Sequence, residues 1–379
     1  MQKITIAFAL TVGSLFCGCS QNQKYNTTDG FITCDVGRVK ELRTVNLSEW
    51  VEDLRIVQFE NSEAALFQYG WQVIAGNYIG IRQGGNGVFK LFDRNGKFLC
   101  NVGALGAGHG EYSNRINSAV IDEDREQIYL TESPCAHSNI HVYGMDGKFR
   151  YDIPLDEELY SPKMTLNGDG TISLVQLCLN KCANPTLITH IKNGEVIAKT
   201  KPHPSMITDS PADKDLFHDV MCYSCMGNMY VWQTSNDTLY RYDTKTQSIK
   251  PAFTLAWQDR TEDTYYQYNV IPGKYIADVI TDVRKYTKKG TIVYDQESQE
   301  AYYIKLKNDS AGGIEAPTTF ANGYFYDMYH PMQLREVIEK RLYESDCTEE
   351  DKSSLRKLYD SLDEDGNYIM FVGKLKERI

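Results

Sequence analysis

The feature that most constrains this chain is a repeat. "VFKLFDRNGKFLCNVG" and "IHVYGMDGKFRYDIPL" carry the same pattern: an alternating apolar strand, a short turn with Asp and Gly, and a second strand. Phe92 and Tyr143 occupy equivalent places, about fifty residues apart. Fainter copies follow in "LITHIKNGEVIAKT" near Ile191, "TLYRYDTKTQSIKPAF" at Tyr242 and "TIVYDQESQEAYYIKL" at Tyr294, at intervals of about 48, 51 and 52 residues. A sixth copy, "YIMFVGKLK" near Phe371, comes after about 77 residues, and removing an insertion of about 27 restores the period.

Each hairpin is preceded by another short strand pair, such as "INSAVIDEDREQIYLTES" or "DVMCYSCMGNMYVWQTS". A unit is therefore about four antiparallel strands. One such sheet cannot bury both faces alone, whereas six stacked radially can. The pattern predicts an all-β chain, a six-bladed β-propeller of four-stranded antiparallel blades. The last copy lacks a fourth strand, and "LRIVQFE" (Leu54 to Glu60) supplies a spare one to close the ring. Between Pro331 and Leu362 the period turns helical. Leu334, Val337, Ile338 and Leu342 share one face, and Leu355, Leu358, Tyr359 and Leu362 another, behind the capping pattern Thr348-x-x-Asp351. An α-helical hairpin inserted in the last blade is expected, either over one face of the ring as a lid or docking surface, or packed on the blade rim.

The N-terminus carries targeting information. After Met1-Gln2-Lys3, Ile4 to Phe16 is an apolar run of about thirteen residues, too short to span a bilayer and suited to a signal-peptide core. It ends in "LFCGCS", which resembles a bacterial lipobox with Cys19 as the lipidated residue. The expected organisation is a signal peptide over 1–18, a polar tether over 19–30 and the propeller over 31–379. The net charge of −11, with acids and bases interspersed, leaves no basic patch for nucleic acid. Cys34, Cys100, Cys135, Cys178, Cys182, Cys222, Cys225 and Cys347 remain in an exported chain, with their pairing open.

The sequence resembles the six-bladed β-propeller lipoproteins of Bacteroidota, relatives of NHL-type and TolB-like propellers. The matching stretches are the lipobox at Cys19, "SEWVEDLRIVQFEN", "LFDRNGKFLCNVGALGAGHGEY" and "DEDGNYIMFVGKLK". The glycine-rich loop resembles the family's Gly-x-Gly-Pro-Gly-Glu-Tyr, with His109 in place of the proline. The resemblance implies the fold and an outer-membrane lipid anchor. No acidic surface-export signal follows Cys19, which favours the periplasmic side.

"GALGAGHGEY" is not a phosphate loop. It has no Gly-Lys-Ser/Thr, its glycines miss the Gly-x-Gly-x-x-Gly spacing, and strands rather than a helix follow. It reads as a crossover between blades, on the face where propellers usually bind ligands. That face gathers the candidate ligand-binding residues His109, Glu111, Tyr112, Arg115, His137, His218 and His330, with His203 beside a further crossover. Resemblance to NHL-type lyases and hydrolases makes a metal-dependent enzyme built on some of these the runner-up. The spacing itself identifies no metal site, cofactor or catalytic residue. Cys178-x-x-x-Cys182 and Cys222-x-x-Cys225 invite a zinc reading, but the strand assignment puts Cys225 on the opposite face. Tyr324, Tyr326 and Tyr329, with Trp71, Trp232 and Trp257, offer sugar-stacking rings or blade packing; Asp122-Glu123-Asp124 and Asp363-Glu364-Asp365 read as solvated turns. The expected function is non-catalytic binding of a peptide, glycan or envelope protein by a membrane-tethered propeller, with a structural subunit of an envelope complex as the third reading.

Overall fold

The computed structural model describes residues 26–28, 30–84, 87–112, 116–132, 139–182, 184–209, 220–225, 227–234, 236–243, 246–282 and 285–379. They form a six-bladed propeller of four-stranded antiparallel blades. Blade 1 runs from the channel outward as Gly70–Ile74, Tyr78–Gln83, Phe89–Asp93 and Phe98–Val102. Blade 2 is Ile116–Asp122, Gln127–Glu132, Asn139–Gly144 and Phe149–Pro154. Blade 3 is Lys163–Leu166, Ile172–Val175, Ile188–Lys192 and Glu195–Thr200. Blade 4 is Val220–Cys225, Asn228–Gln233, Thr238–Asp243 and Ser248–Ala256. Blade 5 is Tyr265–Ile271, Lys274–Asp282, Thr287–Asp295 and Glu300–Asn308.

Blade 6 is assembled from both ends of the chain. Phe320–Ala321, Tyr324–Tyr329 and Ile369–Leu375 come from the C-terminal part, and Val51–Gln58 is the outermost strand. Its register sets Val57 opposite Met370 and Gln58 opposite Ile369. The closing strand foreseen at Leu54 to Glu60 is therefore this one.

The alternation of each strand sends successive side chains to opposite faces of its blade. The apolar ones meet in six clusters among the described residues, one in each seam between neighbouring blades. Side chains also tie neighbouring inner strands together. Asn117 Nδ2 donates to the Pro162 carbonyl at 2.9 Å, and Asn269 Nδ2 to that of Phe320 at 3.1 Å. The turns joining inner to second strands emerge on one side of the ring, where those of five blades line a single depression of about 490 Å³. Crossovers and second-to-third-strand loops emerge on the opposite side, called here the loop face.

Two features lie outside the repeat. Ahead of blade 6 the chain straps the rim of its neighbours. Phe31–Asp35 runs parallel to the outer strand of blade 4, with Asn26–Thr28 folded back on it, and Leu42–Asn46 runs parallel to the outer strand of blade 5. Cys34, Val36 and Val39 of this strap are buried in the seam of blades 4 and 5. The strap covers two sheet edges that would otherwise offer free backbone donors and acceptors. Part of the stretch expected as tether, Asn26–Thr28, is thus a strand. A helical turn, Leu47–Trp50, then leads into the closing strand.

The second feature is the helical insertion, Pro331–Leu342 and Glu349–Asp360. Thr348 caps the second helix by accepting the Asp351 amide at 3.1 Å, as the pattern foretold. Leu334, Ile338, Leu355 and Leu362 are buried with Leu47, Leu306 and Ile314 in the seam of blades 5 and 6. Arg341 Nε donates to the Gly312 carbonyl at 2.9 Å and fixes the hairpin to the loop after blade 5. Of the two readings, the rim is the one observed. The hairpin packs on the outer part of the seam because its apolar face is matched there by the strap and by the outer strand of blade 5.

Candidate functional site

The glycine-rich loop spends its polar groups on itself. Glu111 Oε2 accepts the Gly108 amide at 2.9 Å, so the carboxylate folds back over the loop. A Cβ at Gly106 would lie 1.9 Å from that oxygen, and Gly110, at φ +75°, presses on the Phe149 ring. Tyr112 is a correction to the sequence expectation: it is fully buried. Its hydroxyl donates to the Val102 carbonyl at 2.9 Å and accepts the Phe89 amide at 3.0 Å, riveting the crossover to blade 1. Tyr268 repeats the device on blade 4, donating to the Asp237 carbonyl at 2.6 Å and accepting the Leu255 amide at 3.1 Å. Tyr112→Phe is expected to cost about 2 kcal/mol, because it strands two buried backbone groups. Urea unfolding of the variant beside the parent checks this, and an unchanged midpoint contradicts it.

The other nominated residues that are described do not assemble into one centre. His109 is exposed and packs at a steep angle on the Phe149 ring, ring centroids 4.7 Å apart. His330 caps the first insertion helix, its Nδ1 accepting the Met332 amide at 3.4 Å. His203 Nδ1 lies 2.8 Å from the Ser205 hydroxyl. Cys19 and its signal segment, Arg115, His137 and His218 lie outside the described residues. Among the described residues no group of three His, Cys, Asp or Glu side chains is placed to hold a metal ion. Cys178, Cys182 and Cys222 pack in the seam of blades 3 and 4, while Cys225 lies in the next. These thiols are unbridged, and burial pushes that of Cys178 up to about 12. The sequence passed over His141, whose Nδ1 sits 2.6 Å from Asp152 Oδ1, with Glu132 Oε1 3.8 Å from its Nε2.

What the fold does bring together lies around blade 6. Its inner strand is only Phe320–Ala321, so the second strand, Tyr324–Tyr329, stands uncovered toward the loop face. That strand alternates: Tyr324, Tyr326 and Met328 pack toward blade 1, while Phe325 and Tyr329 pack toward blade 5. A cleft opens on each side.

The larger cleft, of about 740 Å³, lies between blades 6 and 1. Phe67 and Tyr368 form its aromatic wall, stacked at 5.2 Å and 14°. His330 meets the Tyr368 edge at 5.6 Å, and the Tyr69 ring, 60% exposed, stands 6.2 Å from Tyr368. The walls are braced. Asn367 Nδ2 donates to the Glu60 and Ala65 carbonyls at 3.0 and 3.1 Å, and Gln83 Nε2 to that of Val88 at 2.7 Å. Nearby, the Arg82 guanidinium lies 4.1 Å over the half-exposed Trp71 ring while Nη1 donates to the Ile116 carbonyl at 3.2 Å. Of the nominated residues that are described, His330 alone lines this cleft.

The smaller cleft, of about 340 Å³, lies between blades 5 and 6 and is lined by Lys288, Thr291, Glu315, Thr318, Asp327 and Tyr329 above an apolar wall. Lys288 pairs with Asp278 at 2.9 Å, and Thr291 donates to the same carboxylate at 2.7 Å. Burial pushes the Asp327 carboxyl up to about 6, against the pull of the Tyr329 hydroxyl and the Met328 amide. Sequence reasoning missed Asp327. The signal was there in "YFYDMY": an acid at a seam-facing position, flanked at a spacing of two by Phe325 and Tyr329.

A family model described as a domain of unknown function (DUF4934) matches residues 31–374. No curated protein matches the chain. Among solved structures, a protein from Bacteroides fragilis described as exported (BF0058) is 15% identical with a TM-score of 0.61, over 91% of this chain and 99% of that one. Virginiamycin B lyase from Staphylococcus aureus is 12% identical with a TM-score of 0.39, over 85% and 99%. A Bacteroides caccae protein of unknown function is 14% identical with a TM-score of 0.36, over 60% and 77%. The likeness to the Bacteroides fragilis protein speaks to the fold alone. Among the described residues no helix is long and apolar enough to cross a membrane.

Proposed function

The chain belongs to the family of domains of unknown function DUF4934, and from that premise we propose that it is an exported lipoprotein that binds a glycan between blades 6 and 1. The observation that carries this reading is the larger cleft. A pyranose presents a flat C–H face and a rim of hydroxyls. The Phe67–Tyr368 stack and the exposed Tyr69 ring match the first. Gln68, Asp365 and the His330 Nε2, the ring nitrogen free of the helix cap, match the second. Because both walls are already hydrogen-bonded, little ordering is left to oppose binding.

Export rests on the N-terminal run Ile4 to Phe16 and on the fold shared with a Bacteroides fragilis protein described as exported. Anchoring rests on the lipobox at Cys19. In this reading the lipid sits in the outer membrane, with the propeller on the periplasmic side.

The test is a glycan array, then calorimetry of any hit, with a soluble chain lacking residues 1 to 19. Tyr69→Ala, which removes an exposed ring and little packing, is expected to weaken the hit at least tenfold. A blank glycan array beside binding on a peptide array overturns the glycan. Cys19→Ala in the full chain is expected to move the protein from the membrane to the soluble fraction, and retention on the membrane overturns the anchor.

A further inference from the structure

The smaller cleft carries a separate inference, independent of the glycan reading. Its charges are unevenly matched. Lys288 is engaged by Asp278 at 2.9 Å, and Glu315 faces Lys305 at 3.6 Å. Asp327 has no ion pair among the described residues, and the polar groups that favour its charged form, the Tyr329 hydroxyl and the Met328 amide, are both neutral. A carboxylate drawn out of water keeps its charge at a cost unless a cation meets it. Here it lines an open cleft instead of a sealed core, and the short inner strand of blade 6 is what leaves it open.

The rest of the lining specifies the cation. Ile304, Leu306, Ala316 and Pro317 make an apolar wall, and the hydroxyls of Thr291 and Thr318 supply neutral acceptors. A compact cation on an apolar stem fits this combination. We propose that the cleft between blades 5 and 6 binds a primary alkylammonium group, with Asp327 as its counter-ion, the Thr318 hydroxyl as a second acceptor and the stem along Ile304 and Pro317. A guanidinium would leave donors unmet, since one free carboxylate and two hydroxyls do not match its five N–H groups.

The experiment uses the soluble chain lacking residues 1 to 19 at pH 8, titrated calorimetrically with n-butylammonium, n-butanol and Nα-acetyl-lysine amide. n-Butylammonium is expected to bind at least tenfold more tightly than n-butanol, which has the same stem and no charge. Asp327→Asn is expected to abolish that preference, and its melting curve reports whether it has folded. Thr318→Val, which keeps the volume and the carboxylate, is expected to weaken the amine about threefold. Equal binding of amine and alcohol, or an unchanged preference in folded Asp327→Asn, overturns the proposal. The lysine amide separates the sources: binding as tight as butylammonium identifies a lysine side chain of a polypeptide, and tenfold weaker binding a free amine. Because the glycan test reads Tyr69 and this one reads Asp327, either can fail without the other.

Discussion

A chain that begins at Asn61 is expected not to fold. It would lack Val51–Gln58, the outermost strand of blade 6, and the turn before it. Trp50, Val51, Val57 and Phe59 are each at most 4% exposed. At about 2 kcal/mol for each side chain buried, they contribute on the order of 8 kcal/mol, comparable with the whole stability of an ordinary domain. The loss is also topological: Ile369–Leu375 would become a free edge of mostly buried apolar residues. Gel filtration and urea unfolding followed by tryptophan fluorescence test this. The truncated chain is expected to aggregate or to show no cooperative transition. A chain beginning at Asn26 is expected to match the midpoint of one lacking residues 1 to 19. A sharp transition in the shorter chain would mean that the ring closes without its N-terminal strand.

The second large effect is a gain. Asp327→Asn is expected to stabilise the protein at pH 8 by about 3 kcal/mol, following from a carboxyl raised from 3.8 to about 6. The folded state binds this proton more tightly than the unfolded chain does. Stability therefore falls as pH rises from about 4 to about 6, and the penalty is fully present above that window. The amide keeps the shape and removes the charge, so the gain should shrink toward zero near pH 4. Lys288, Asp278, Glu315 and Tyr329, the charged and titratable neighbours, are unchanged in the variant. Urea midpoints at pH 8 and pH 4 decide the matter. An equal gain at both would assign the effect to packing rather than charge. A residue that weakens the fold at neutral pH is one whose retention suits a binding role.

Most of the ring was legible from the sequence because its signals are local. A hairpin such as "KLFDRNGKFLC" declares itself by alternation and by its turn, and six of them at one period leave few architectures. The closing strand was legible as well, since an unpaired fourth position in the last blade called for a partner. The rim strap was not. Phe31–Asp35 and Leu42–Asn46 pair in parallel with strands more than two hundred residues away, with no turn to announce them. The crossover loop connects blades instead of holding phosphate, and the Glu111 and Tyr112 bonds give the reason. Both look like ligand candidates in the sequence because loop position tells which face a residue is near, not where its side chain goes. The clefts depend on a strand being short, Phe320–Ala321, and a missing half-strand leaves only a weak mark in "APTTFANGYF".

The strap also bears on the order of events in folding. Residues 26–28 and 30–58 are made well before their partners on blades 4, 5 and 6. Closing loops of that length is slow compared with forming any one hairpin. The outer edge of each of these three blades therefore stays uncovered until the N-terminal segment closes on it. For a chain threaded unfolded across a membrane, that delay keeps the leading end from locking early. It also marks the interval before latching as the one in which strand edges from two copies can pair wrongly.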